Sequence, residues 1–166
     1  SRANYEEAEG YLRTAVRFLD FLIEKAPYEQ RYKEESVQAR LDLAVFYVTT
    51  ANHKEAQDNF DLVLDQLNEI INVWPHHSRA NGLKIRTLIE RGRYHSIMAR
   101  YGEASKDLTE SVMFADRVLK GDNHPELISL KAQALMELGN LECLISASSN
   151  GEESLQQAVI LLNDLI

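Results

Sequence analysis

The stretch YEEA at residues 5–8 returns as HKEA at 53–56 and as YGEA at 101–104, at a constant interval of 48 residues. The reading of that interval decides the fold. Four residues after the alanines Ala8, Ala56 and Ala104 stand Leu12, Phe60 and Leu108, and eight residues after them stand Val16, Leu64 and Val112. Offsets of four and eight share one face of an α-helix. Leu19, Leu67 and Ala115, eleven residues on, extend the same stripe, so each copy opens an amphipathic helix of about twenty residues.

Pro27, Pro75 and Pro125 follow the alanines by 19, 19 and 21 residues. Proline lacks the N–H that a helix interior needs and suits the first turn, so each marks the turn into a next helix. The next copy then follows at 29 residues, from Pro27 to Ala56, from Pro75 to Ala104 and from Pro125 to Ser154, which makes NGEESLQQAV (150–159) a degenerate fourth copy. Between proline and motif runs a second helical pattern, as in VQARLDLAVFYVTTAN (37–52), where Val37, Leu41, Ala44 and Val48 share a face. Asn52 is a candidate N-cap for the helix that follows.

Seven helices are therefore predicted, over about 3–26, 28–51, 53–74, 78–99, 101–120, 125–147 and 151–166, with no strand signal of comparable strength. The fold class is all-α. Repeated helix pairs bury their apolar faces only by stacking on their neighbours, which gives an α-solenoid of antiparallel helix pairs in one repeat domain, 1–166. Its units are a partial repeat at 1–26 and full repeats at 27–75, 76–124 and 125–166. The first motif already stands at residue 5 and the last helix ends in the apolar run AVILLNDLI (158–166), so the expectation is a segment of a larger protein or self-association through exposed solenoid ends.

Leu43, Ala44, Tyr47, Ala56 and Phe60, within LAVFYVTTANHKEAQDNF (43–60), resemble the signature of the tetratricopeptide repeat. Gly92, His95, Ala104 and Leu108 repeat the pattern, and Leu138 and Gly139 of LGNLECL (138–144) begin it again. The 48-residue interval exceeds the roughly 34 residues of the standard repeat. Both helices are lengthened, which resembles the long-helix members of the superfamily found in signalling proteins. The resemblance implies a superhelix whose first helices line a concave groove.

The composition, 45% apolar and 27% charged with 3 Pro and 7 Gly, is that of a folded globular chain. Cys143, the only cysteine, can form no intramolecular disulfide, which favours a reducing, cytoplasmic setting. No stretch approaches the roughly 18 apolar residues of a membrane span, and SRANYEEAEG (1–10) lacks the layout of a secretion signal. A net charge of −8 argues against nucleic acid or an anionic membrane as partner.

That charge is uneven. Arg79, Arg86, Arg93 and Arg100 recur every seven residues on one predicted helix, a spacing that drifts only about 20° per step and so makes a stripe. With Lys84 and Arg91 they give six basic residues from 79 to 100 against the single acid Glu90, a local charge of +5. By the resemblance, Arg86 and Arg93 fall at positions that face the groove. An arginine fork suits carboxylates and phosphates, so the stripe is the candidate groove for an acidic or phosphorylated peptide. The competing expectation is a structural network with Glu34, Glu35 and Asp42 of the preceding first helix.

The other reactive side chains point to structure. His53, His76, His77, His95 and His124 offer no pair at the i, i+4 spacing of a helical metal site. His95 occupies the position of Tyr47 one repeat earlier, which assigns it to packing. Cys143 among Leu141, Leu144 and Ile145 reads as a buried, inert thiol, and Trp74 before Pro75 as an anchor closing a repeat. There is no phosphate-cradling glycine loop, nucleophile elbow or His-Glu metal motif, so neither catalysis nor a cofactor is expected. The function expected is a protein- or peptide-binding scaffold, a regulatory module of a larger signalling protein. The alternatives are a structural spacer or self-association segment, and an accessory repeat region of an enzyme, such as a kinase, whose active site lies elsewhere.

Overall fold

The computed structural model describes residues 2–121, 124–145 and 149–165. Among these residues the chain is all-α, with seven helices and no strand: α1 Arg2–Lys25, α2 Gln30–Thr49, α3 His53–Val73, α4 Ser78–Ile97, α5 Tyr101–Leu119, α6 Pro125–Ile145 and α7 Ser149–Asn163. The predicted end of the sixth helix at 147 falls outside the described residues. Two compact units divide the chain, 1–69 and 70–166.

Two kinds of turn link the helices. The turn from α2 to α3 and that from α4 to α5 each hold an alanine at positive φ, Ala51 at 58° and Ala99 at 56°. The Ala51 N–H bonds to the Val48 carbonyl at 3.2 Å and the Asn52 N–H to that of Tyr47 at 2.9 Å; Ala99 to Ser96 at 3.0 Å and Arg100 to His95 at 2.8 Å repeat the pattern. This is the Schellman closure of a helix C-terminus, with alanine where glycine is usual. Asn52 stands directly before α3 as predicted, and its side-chain amide donates to Thr50 Oγ1 at 3.2 Å.

The second kind is the proline turn. Only Pro125 lies within the first turn of a helix; Pro27 and Pro75 precede α2 and α4 by three residues, contrary to expectation. Each occupies the second position of a four-residue β-turn, in which the Glu29 N–H reaches the Ala26 carbonyl at 3.0 Å and the His77 N–H that of Trp74 at 3.1 Å. Proline's fixed φ suits that position. The helices then start under histidine or glutamate. His77 Nδ1 accepts from the Ala80 N–H at 3.3 Å, His124 Nδ1 accepts from the Glu126 N–H at 3.4 Å, and Glu29 holds the corresponding place before α2.

His77 and His124 cap by side chain, Glu29 stands at the same position without a cap hydrogen bond, and the three positions give the register. Residues 29, 77 and 124 are spaced by 48 and 47, not by the 50 that separates Pro75 from Pro125. The fourth copy shifts accordingly. A Cβ on Gly92 would meet Leu108 at 2.8 Å, and a Cβ on Gly139 would meet Leu155 at the same 2.8 Å, which places Gly151 and not Ser154 at the site of Ala104. Gly151 is buried whereas Ser154 is half-exposed.

In the first unit α1 packs on α2, with Val16, Val37, Leu41, Leu43 and Ala44 buried. Tyr47 Oη donates to Glu9 Oε1 at 3.0 Å and Ser36 Oγ to Asp20 Oδ1 at 3.2 Å, tying the pair by polar contacts as well. In the second unit α4 packs on α5, α5 on α6 and α6 on α7, and α4 also meets α6, so the first helices of two successive pairs lie together. Ile85 and Ile89, Phe114 and Ala115, and Leu127 and Ala134 form their common core. Burial of that apolar surface is the main driving force for the stack. The result is a helical-repeat arrangement, as the 48-residue interval requires.

Candidate functional site

The helix that carries the arginines is the most enclosed in the molecule. Ala80, Asn81, Gly82, Leu83, Ile85, Thr87, Leu88, Ile89, Gly92, Tyr94 and His95 of α4 are all buried. Among the residues that are not buried, Arg79, Arg86, Glu90 and Arg93 fall on one stripe, the seam of this helix, the first two exposed and the others half-buried. The pair mate α5 and the next first helix α6 cover the flanks of α4. Of the four arginines spaced by seven, Arg79 and Arg86 are exposed, whereas Arg93 and Arg100 are half-buried.

The four arginines are not equivalent. Arg86 is exposed and forms no ion pair among the described residues. Arg93 donates to Glu90 Oε1 at 3.0 Å and to Glu137 Oε1 of α6 at 2.7 Å. Burial acts to lower its pKa, but the hydrogen bond to Glu137 and the charge of Glu90 outweigh it and raise the value. Arg100 lies apart from the stripe, in the turn to α5. It donates to Tyr94 Oη at 2.9 Å, stands 5.2 Å over that ring and pairs with Glu103 at 3.5 Å. Arg79 is exposed near the N-terminus of α4.

The other two cations of this helix point away from the seam. Arg91 grips Asp107 of α5 with Nε at 2.9 Å and Nη2 at 2.7 Å, and Asp107 is only 2% exposed. His95 is buried beside them, its Nδ1 3.0 Å from Asp107 Oδ2, and burial pushes its pKa below the ordinary value although Asp107 pulls the other way. Packing is its role, as expected from its register with Tyr47, and the polar cluster with Asp107 is an addition that sequence spacing did not reveal. Lys84 reaches Glu110 of α5 at 4.0 Å. The local charge of +5 is thus met largely by acids on α5 and α6, which lie 16 to 44 residues further along the chain than the cations they pair with. Arg93 finds the following first helix; of the expected network, Asp42 accepts from Gln38 of its own helix at 2.8 Å.

Two assignments are corrected. Cys143 is exposed, because α7 crosses α6 at Gly139 and Gly151 and leaves the thiol at the margin of the contact. Trp74 is 42% exposed, since the β-turn around Pro75 turns the chain before the indole reaches a core; it lines a shallow depression with Val73, Pro75, His76 and His77. Among the described residues no group of three His, Cys, Asp or Glu side chains stands close enough to hold a metal ion, and no helix is long and apolar enough to cross a membrane. No protein-family model matches the chain, and neither a curated protein nor a solved structure does.

Proposed function

We propose that the chain is an interaction module of long tetratricopeptide-like repeats, in which the exposed seam of α4, bordered by α6, holds an acidic segment of a partner protein. The observation that carries the reading is Arg86, an exposed arginine that forms no ion pair among the described residues, on a helix most of whose side chains are buried. A rigid, enclosed helix presents its few exposed side chains at fixed spacing, which lowers the ordering cost of binding. Arg93 adds a second, latent contact, because an incoming carboxylate can replace Glu137 as its partner. A regulatory place within a larger signalling protein is what the resemblance to long-helix repeats implies, and the single cysteine fits a reducing, cytoplasmic setting.

The test is an array of peptides graded in charge, probed with the wild-type chain and with two variants of unchanged helicity. Arg86→Glu should abolish retention of acidic peptides. Glu137→Gln, which leaves Arg93 paired with Glu90 alone, should strengthen it. Retention indifferent to peptide charge, or unaltered by Arg86→Glu, would sink the reading.

A second reading, self-association, is favoured by exposed apolar side chains on α1, where Tyr11 and Phe18 stand out, and on α7, where Val159 and Ile160 do. Sedimentation at rising concentration separates the two, since a strict monomer excludes it.

A further inference from the structure

Residues two apart on a helix point about 200° from each other. Lys84 therefore lies on the opposite side of α4 from Arg86, and there the chain has a cavity of about 560 Å³ between α4 and the outer face of α5. Lys84, Ser105, Lys106, Thr109, Phe114 and Arg117 line it, together with Glu110. Three cations face one carboxylate, in a chain whose net charge is −8. Glu110 pairs with Lys84, at 4.0 Å, while Lys106 and Arg117 form no ion pair among the described residues.

The floor is aromatic. Phe114 is buried, with the Lys84 ammonium 4.6 Å from its ring centroid and the Arg117 guanidinium at 6.0 Å. The Lys84 side chain is only 14% exposed, and burial holds its pKa below the ordinary lysine value, so an anion beside it would meet a poorly hydrated charge. A second cavity of about 530 Å³ shares Phe114 and Arg117 and adds the apolar walls of Ile71, Pro75 and Val118. Each space falls in the range of small-molecule sites, roughly 300 to 1,000 Å³.

We infer that this cavity binds a small organic anion, its carboxylate or phosphate held by Lys84, Lys106 and Arg117 and its aryl or acyl body laid on Phe114. The hydroxyls of Ser105 and Thr109 supply further donors to the anionic head. The site is separate from the seam of Arg86, and the two are testable independently.

The probe is phenyl phosphate, titrated into the isotopically labelled chain and followed by amide chemical shifts. Saturable shifts are expected at Lys84 and along residues 105–117. Lys106→Ala with Arg117→Ala, both exposed positions, should keep the spectrum of a folded chain and weaken binding by about tenfold or more. Inorganic phosphate and phenol, run as separate arms, should each bind about tenfold more weakly than the combined molecule. No saturable shift in α5, an unaltered affinity in the double variant, or equal affinity for inorganic phosphate or phenol alone would each overturn the assignment.

Discussion

Ala51 and Ala99 carry a backbone conformation that costs a non-glycine residue roughly 1 to 2 kcal/mol, yet both close their helices in the same way. Glycine adopts that conformation without the Cβ penalty, and at a helix C′ position its extra freedom in the unfolded chain cancels only part of the gain. Ala99→Gly is expected to stabilise the protein by about 1 kcal/mol in urea unfolding. One buried residue gives a pH dependence. His95 is held below its ordinary pKa by burial, with Asp107 and Glu103 opposing and Arg100 and Arg91 assisting. The unfolded state therefore binds the proton more readily, so stability is complete above about pH 6.5 and falls as the pH drops from there through the lowered value. His95→Gln keeps a donor for Asp107 and removes the titration. It should cost about 1 kcal/mol at pH 7.5 and flatten the decline between pH 6.5 and 5, read by denaturant titration at each pH.

At the scale of the element, the helix pairs differ in how they cross. On α4 a Cβ at Gly92 would stand 2.8 Å from Cγ and 3.0 Å from Cδ2 of Leu108, a side chain buried in the core. On α6 a Cβ at Gly139 would stand 2.8 Å from the Gly151 carbonyl oxygen, and one at Gly151 would stand 2.6 Å from Cys143 Sγ. A backbone neighbour cannot give way locally. Gly139→Ala should therefore cost about 2 to 3 kcal/mol by forcing α6 and α7 apart, whereas Gly92→Ala should cost less, about 1 kcal/mol, because only a side chain must repack and the helix propensity of alanine offsets part of that strain. Melting temperatures of the two variants compare them directly. The same pair of glycines shows what the sequence held and what it hid. The twelve residues from Ala44 to Ala56 and from Gly92 to Ala104 recur from Gly139 to Gly151. Prolines were the poorer ruler, since Pro75 serves a β-turn and Pro125 a helix start, while His77 and His124 cap helices at matching positions. Seven helices and the seam of α4 were legible because apolar periodicity and charge periodicity are local. The neutralisation of Arg91 and Arg93 was not, because Asp107 and Glu137 reach them through tertiary packing.

At the scale of the whole molecule, protection from solvent is distributed very unevenly. The core of the second unit gathers side chains of α4, α5 and α6 about Ile85, Ile89 and Phe114, with Ala104, Leu108, Leu138 and Leu141 beside them. Of α1 only Val16 is buried among the side chains described, and of α7 only Gly151 and Ala158. In a repeat array each helix is stabilised by its neighbours, so local opening proceeds from the helices with the least buried surface. Amide hydrogen exchange under native conditions should find the slowest amides in α4 and α5, with α1 and α7 exchanging faster by about a hundredfold or more, equivalent to about 2.7 kcal/mol in opening free energy. The polar cluster of Arg91, His95 and Asp107 sits between the two most protected helices, and its removal should erase part of that contrast. Asp107→Ala leaves Arg91 without its buried carboxylate, a loss of about 3 kcal/mol by the usual cost of breaking such a pair. If α4 and α5 form the most stable part of the fold, exchange in both should accelerate together in this variant while α1 stays as it was. Uniform acceleration across all seven helices would instead mean that the chain opens as one cooperative whole, and uniform protection in the wild type would contradict the gradient itself.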